Sequence, residues 1–123
     1  MRRLLCQVCA GPADHNEQGS LWLLRDHRED WADWPEGMGN APPPLCLRCA
    51  HISVKACPRL TPGFVAVRAH STITGISGPL YGPGYPGPGL DTTMTIAYRN
   101  PVHRWMQARQ LVRTLHDCTL ITL

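Results

Sequence analysis

Two pairs of cysteines are the residues of this 123-residue chain whose type and spacing most clearly predict chemistry. Cys6 and Cys9 form one Cys-x2-Cys pair, and Cys46 and Cys49 form another, with 36 residues between the pairs. A Cys-x2-Cys turn places two thiolates on one side of a tight loop, so each pair supplies two adjacent corners of a tetrahedron. The two pairs together therefore predict a closed four-cysteine site that suits Zn²⁺. Because four thiolates leave no position for water, the predicted zinc is structural rather than catalytic.

Other cysteine and histidine residues leave alternatives open. A tetrathiolate site also accepts iron, so the identity of the metal is not fixed by the spacing. His51 lies two residues after Cys49 and is an alternative ligand. Cys57 and Cys118 are predicted to be packing residues, because free cysteines are commonly buried.

The segments around the cysteine pairs predict the elements that would position them. Gly11-Pro12 predicts a turn, and Ser20–Arg25 has the composition of a strand. After the second pair, the residues from Ala50 to Ala56 are predicted to continue as a helix that Pro58 ends. The N-terminus of that helix would favour the thiolates of the second pair electrostatically.

This order of a knuckle, a β-hairpin and a helix that carries the second pair resembles the treble-clef class of zinc fingers, over roughly residues 4–60. The chain also resembles small zinc-binding proteins of actinobacteria and their mobile elements. Eleven of its 12 basic residues are arginine, which is typical of a GC-rich genome such as an actinobacterial one.

Two Cys-x2-Cys pairs that bracket a hairpin also resemble the recombination endonuclease VII group of His-Me finger nucleases. In that family an Asp-His element between the pairs supplies a metal-binding Asp and the catalytic His. The resemblance would give these roles to Asp26 and His27, with His51 as a second metal ligand. The family's fuller Asp-His-Asp-His element is absent, since Arg28 follows His27. The favoured interpretation of Asp26–Asp30 is therefore a solvated charged turn, with the nuclease as an alternative.

The formal net charge of +3 conceals an asymmetry along the chain. Between residues 14 and 36 seven acids outnumber two arginines, whereas eight basic residues outnumber two acids from residue 37 onwards. A basic body with an acidic lobe can steer a charged partner. No apolar run approaches the ~20 residues that span a bilayer, and no signal-peptide segment is evident. The sequence therefore predicts no membrane partner and a cytoplasmic location.

Two tryptophans lie three residues apart in the acidic segment, at Trp31 and Trp34. One interpretation is that they fold back over the hairpin and cap a thin core with Trp22 beneath them. The other is that they form an exposed patch that binds a partner.

The second half of the chain predicts strands over about 64–77 and 92–99, separated by a loop over 78–90 in which nine of 13 residues are Gly or Pro. Asn100-Pro101 is a helix-start signal, and it predicts a helix over about 101–116. The buried arc of that helix would hold Trp105, Ala108, Leu111, Val112 and Leu115. Arg104, Arg109 and Arg113 lie at its margin, where they could contact phosphate or form a solvated face.

The sequence thus predicts an α+β fold. A zinc-binding module over 1–60 would precede a small α+β region over 61–123, with an antiparallel sheet and one long C-terminal helix. The predicted function is a non-enzymatic zinc-stabilised binding module that contacts nucleic acid or a transcription-related protein. The alternatives are a protein–protein adaptor without DNA affinity and the metal-dependent nuclease that uses Asp26 and His27. No small-molecule substrate is indicated.

Overall fold

Antiparallel strands dominate the protein, and one α-helix packs against them. The structure is a computed structural model that describes residues 3–82 and 93–123. Six strands in these ranges form one sheet, in the order β1-β2-β4-β6-β3, with β5 paired to β4. The elements are β1 (His15–Asn16), β2 (Gly19–Arg25), β3 (Gly39–Asn40), α1 (Leu47–Ala56), β4 (Phe64–Pro79), β5 (Thr93–Ala97), a 3₁₀ helix (Pro101–Trp105) and β6 (Gln110–Ile121).

Strand β4 is the centre of the sheet. It has 16 residues, and its β-branched residues favour a long strand. Its first half pairs with β2, its second half pairs with β5, and its other edge pairs with β6 along eleven residue pairs. Strands β4, β5 and β6 therefore extend as a ribbon beyond the end of β2.

The sheet is covered on both faces where β2 and β4 pair, because successive side chains of a strand point to opposite faces. On one face Trp22 and Leu24 pack with Trp34 and Leu115. On the other face Leu21 and Ala66 pack with the two cysteine segments and with α1 through Cys6, Leu45, Cys49 and Ala50. The cysteine cluster is therefore anchored to one face of the sheet.

The tryptophan segment covers the opposite face and is fastened to β6. The backbone N–H of Gly37 donates to the carbonyl of Leu115 at 2.8 Å, and the Leu115 N–H donates to the Met38 carbonyl at 2.9 Å. The Glu36 carboxylate accepts hydrogen bonds from the backbone N–H groups of Asp117 and Cys118 at 2.9 and 3.1 Å. These bonds lie where Asp117 takes a positive φ of 51°.

The predicted long C-terminal helix is wrong, and with it the α+β class. The predicted N-cap is present, since the Asn100 side chain accepts a hydrogen bond from the Val102 N–H at 3.0 Å. The helix nevertheless continues only as the five-residue 3₁₀ helix Pro101–Trp105. Residues Gln110–Ile121 form β6 instead.

Pairing with β4 explains why this segment is a strand. Without β6, one edge of β4 would leave a long row of backbone N–H and C=O groups unpaired. The segment contains β-branched residues at Val112, Thr114, Thr119 and Ile121, which suit a strand. Three members of the predicted buried arc are in fact exposed: Ala108, Trp105 at 46% and Leu111 at 45%.

Strands β4 and β5 lie where the sequence predicts strands over about 64–77 and 92–99. Most of the predicted Gly/Pro loop over 78–90 lies outside the described residues, from position 83 onwards. The sheet takes strands from both predicted units, 1–60 and 61–123, and that division stays a prediction.

Candidate metal centre

The two cysteine pairs meet in one cluster. The sulfur atoms of Cys6, Cys9, Cys46 and Cys49 all lie within 4.8 Å of one another. The Cys9 and Cys46 sulfurs are 3.9 Å apart. A regular tetrahedron with Zn–S bonds of about 2.3 Å has edges of about 3.8 Å, so this separation fits two ligands of one ion. The four cysteines could therefore hold a metal ion, as their spacing predicts.

The first pair lies in a tight backbone turn. The Cys6 N–H donates to the Gly11 carbonyl at 2.7 Å, and the Ala10 N–H donates to the Cys6 carbonyl at 2.9 Å. Ala10 takes a positive φ of 59°, a left-handed conformation that residues with a Cβ rarely adopt. This turn brings both thiols of the pair to the same side of the loop.

The second pair lies at the start of α1. Cys46 is the N-cap residue, with an extended backbone, and Cys49 is in the first turn of the helix. The N-terminal end of a helix carries a partial positive charge that favours thiolates. The helix ends at Ala56, before Pro58, as the sequence predicts.

Backbone hydrogen bonds join the two pairs to each other and to the sheet. The Gln7 N–H donates to the Pro44 carbonyl at 2.9 Å. The Asp14 N–H donates to the Leu45 carbonyl at 3.0 Å, and the Leu45 N–H donates to the Leu21 carbonyl at 2.9 Å. The loop before the second pair is thus held between the knuckle and β2.

A buried ion pair adds a side-chain link between the cysteine segments and β4. The Arg68 guanidinium, whose side chain is 8% exposed, donates to the Asp14 carboxylate and, at 3.1 Å, to the Gly19 carbonyl. This pair was not predicted from the sequence. Its signal is the single charged residue within the apolar stretch of Val65, Val67 and Ala69.

The thiols of the cluster differ in acidity. Burial works to raise the pKa of Cys6, but hydrogen bonds from the backbone amides of Cys46, Cys9 and Val8 outweigh it and lower that pKa to about 6. A hydrogen bond with Cys46, followed by burial, raises the pKa of Cys49 to about 12. A cation that binds all four sulfurs would therefore displace protons from the cluster.

The three residues of the nuclease alternative do not come together. The Arg28 guanidinium donates to Asp26 at 2.6–3.1 Å, and this contact lowers the pKa of that carboxyl. His27 pairs with Asp30 at 2.9 Å, and His51 is exposed on α1. Across residues 3–82 and 93–123, only the four cysteines bring three or more candidate ligand side chains to metal-binding spacing.

The two remaining cysteines lie outside the cluster. Both are free thiols and half-buried, Cys57 at the C-cap of α1 and Cys118 in β6. Cys118 packs against the Trp22 cluster, and burial and the Glu36 carboxylate raise its pKa to about 12. The contact of Cys118 agrees with the predicted packing role, which for Cys57 stays a prediction.

The two tryptophans of the acidic segment differ in burial, and partner binding by this segment stays a prediction. Trp34 is 6% exposed and packs with Trp22, so it caps the core. Trp31 is 43% exposed, with its indole N–H directed at the Glu36 carbonyl at 3.4 Å.

The arginines nominated as phosphate contacts do not share a helix face. Arg104 is exposed in the 3₁₀ helix, and Arg109 is exposed before β6. Arg113 is partly buried within β6 and donates to the Thr72 hydroxyl at 3.2 Å.

Comparisons with known proteins give this chain no relative. It matches no protein-family model, and no match is found among curated proteins or among solved structures. No helix within the described part of the chain is both long and apolar enough to cross a membrane.

Proposed function

We propose that this chain is a non-enzymatic binding module that one structural Zn²⁺ stabilises, and that its partner is nucleic acid. The observation that carries the proposal is the convergence of the four thiols of Cys6, Cys9, Cys46 and Cys49. Four soft thiolate ligands favour zinc and leave it no open coordination position for catalysis. The zinc would tie the knuckle to α1 in the manner of a treble-clef module.

The distribution of charge supports nucleic acid as the partner. The described residues 37–82 and 93–116 contain no Asp or Glu. They contain eight basic residues, Arg48, Lys55, Arg59, Arg68, Arg99, Arg104, Arg109 and Arg113. Arg68 is buried against Asp14, and most of the others are exposed. A stretch of chain with several exposed cations and no carboxylates of its own attracts phosphate.

A protein–protein adaptor is the second candidate. It is favoured by one observation, the 43% exposure of Trp31 in the acidic segment. Exposed tryptophans are frequent anchors of protein interfaces. The engagement of Asp26 by Arg28 and of His27 by Asp30 gives the nuclease no comparable support.

Metal analysis of the purified chain beside two cysteine variants tests the zinc part of the proposal. We expect one zinc per chain in the wild type and in the Cys57→Ser control, whose thiol lies outside the cluster. Cys46→Ser should lose the metal and the order of the N-terminal half, since structural zinc contributes roughly 10–16 kcal/mol in zinc-finger peptides. Wild-type protein without stoichiometric metal would contradict the zinc site.

Binding of nucleic acid as a function of salt tests the partner. For duplex DNA the logarithm of the binding constant should fall with the logarithm of the salt concentration, with a slope of about −0.9 per phosphate contacted. Zinc-loaded protein that binds no nucleic acid at low salt would favour the adaptor instead.

A further inference from the structure

A groove lies beside the middle of β4, where β5 ends and β6 runs alongside. It has a volume of about 920 Å³. Its walls come from β4, from the residues after β5 and from β6, and they include Ile73, Tyr98, Arg99, Leu111 and Arg113. This volume lies at the upper end of the range for small-molecule sites, about 300–1,000 Å³.

The apolar side chains of the groove are exposed. Tyr98 is 57% exposed and Leu111 45%, and the strand register places both on the same face of the sheet. Exposed apolar side chains that line one concave surface are a mark of binding sites. The groove therefore offers apolar contact area that no described residue covers.

The Tyr98 ring is held in place. It stacks on the His103 ring with a centroid separation of 5.7 Å and an interplanar angle of 10°. His103 is itself fixed, since its Nδ1 lies 2.7 Å from the Asn100 carbonyl. A flat aromatic surface is thus presented in the groove in a fixed plane.

The described residues contribute two charged side chains to the lining of the groove, and both are basic. Arg99 makes no ion pair within the described ranges. Arg113 is positioned by its hydrogen bond to the Thr72 hydroxyl. The charge of the groove is therefore complementary to phosphate.

We propose that this groove binds single-stranded nucleic acid, with a base stacked on Tyr98 and a phosphate against Arg99. The inference rests on the proposed function and names the form of nucleic acid and its site. Single strands combine unpaired flat bases with regularly spaced phosphates, and proteins bind them with aromatic rings inside basic grooves. In a duplex the bases are stacked on each other and are not available to a tyrosine ring.

Fluorescence anisotropy with zinc-loaded full-length protein and a labelled oligothymidylate of about 12 nucleotides tests the inference. Tyr98→Ala should weaken binding by about 5- to 150-fold, which corresponds to 1–3 kcal/mol for one stacked base. Tyr98→Phe keeps the ring and should bind like the wild type. Because Tyr98 is exposed, neither variant should unfold, and circular dichroism checks this.

Charge variants locate the phosphate contacts. Arg99→Gln should reduce the magnitude of the salt slope by about 0.7, the value for one phosphate of a single strand. Arg25→Gln removes one positive charge from the exposed end of β2, outside the groove and outside the basic set, and should leave affinity unchanged.

Three results would overturn the inference. One is equal affinity of Tyr98→Ala and the wild type, and another is equally tight binding of a duplex of the same sequence. The third is equal competition by polyglutamate, which offers negative charge without bases. If Lys55→Gln abolishes binding while Tyr98→Ala does not, the groove inference fails but the proposed function stands. Metal-loaded protein that binds neither single strands nor duplexes would contradict both.

Discussion

Asp14→Ala removes the carboxylate that pairs with the buried guanidinium of Arg68. The substitution leaves the Arg68 charge in a site where its side chain is 8% exposed, with the Gly19 carbonyl as its remaining acceptor at 3.1 Å. Since this ion pair joins the cysteine segments to β4, its loss should weaken the attachment of the metal centre to the sheet.

The magnitude follows from burial. Breaking a buried ion pair by removing one partner costs about 3–5 kcal/mol, because it leaves an uncompensated charge. The Asp14 side chain is 31% exposed, so solvent screens part of the interaction. We therefore expect Asp14→Ala to lower the free energy of unfolding by about 2–3 kcal/mol. Arg68→Met removes the buried charge itself, and the double variant should be more stable than Asp14→Ala alone.

Urea unfolding of the wild type, both single variants and the double variant, at one fixed zinc concentration, measures this cycle. The coupling energy between the two sites should be about 1–3 kcal/mol. Additive losses within error would refute the buried ion pair as a link between the cysteine segments and β4.

Three further predictions concern the turn, the carboxylate and the tryptophans. Ala10→Gly should stabilise the protein by about 0.5–1 kcal/mol. The left-handed backbone of Ala10 costs about 1–2 kcal/mol, which glycine avoids, but glycine loses part of this gain because its unfolded chain has more conformational entropy. A lower thermal midpoint for the variant would contradict this prediction. Glu36→Gln should cost about 1 kcal/mol at pH 7, because the carboxylate accepts two backbone hydrogen bonds of β6, which lower its pKa. That contribution is present above the unfolded pKa of Glu36 and is lost as pH falls through its folded pKa. A Glu36 pKa at or above the ordinary glutamate value of about 4.3, measured by NMR titration of zinc-loaded protein, would refute it. Trp34→Ala should lower the free energy of unfolding by about 3–5 kcal/mol, because the Trp34 side chain is only 6% exposed. Trp31→Ala should change it by no more than about 0.5 kcal/mol, because Trp31 is 43% exposed. Thermal unfolding in which Trp31→Ala is the more destabilising variant would refute Trp34 as the core residue.

Local chemistry was predictable from the sequence. The spacing of Cys6, Cys9, Cys46 and Cys49 indicates one cluster because a Cys-x2-Cys turn brings two sulfurs together whatever the rest of the chain does. The Asn100 cap was predictable for the same reason, since an N-cap hydrogen bond forms within two residues.

The fate of residues 110–121 was not predictable from local pattern. Val112 and Leu115 fit the buried arc of a helix, and they are also buried in a strand, at 3% and 0% exposure. Pairing with β4 favours the strand, because the second edge of this 16-residue strand would otherwise have unpaired backbone N–H and C=O groups. The pairing residues are 66–77, more than 30 positions away in sequence, and this tertiary interaction overrides the local helix propensity of residues 110–121.

Contacts between residues far apart in the sequence could not be predicted either. Arg68 and Asp14 are 54 residues apart, and nothing between them indicates their contact. The Tyr98 groove depends on β6 as a strand, so the predicted helix concealed it. The absence of acids between Thr93 and His116 was the available signal for a basic surface.

X-ray absorption at the zinc edge of the purified full-length protein tests the central claim most directly. The four-cysteine account predicts zinc with four sulfur neighbours at about 2.3 Å and no nitrogen or oxygen neighbour. A nitrogen neighbour at about 2.0–2.1 Å would instead indicate a histidine such as His51 in place of one cysteine. That result, or iron in place of zinc at the site, would contradict the account.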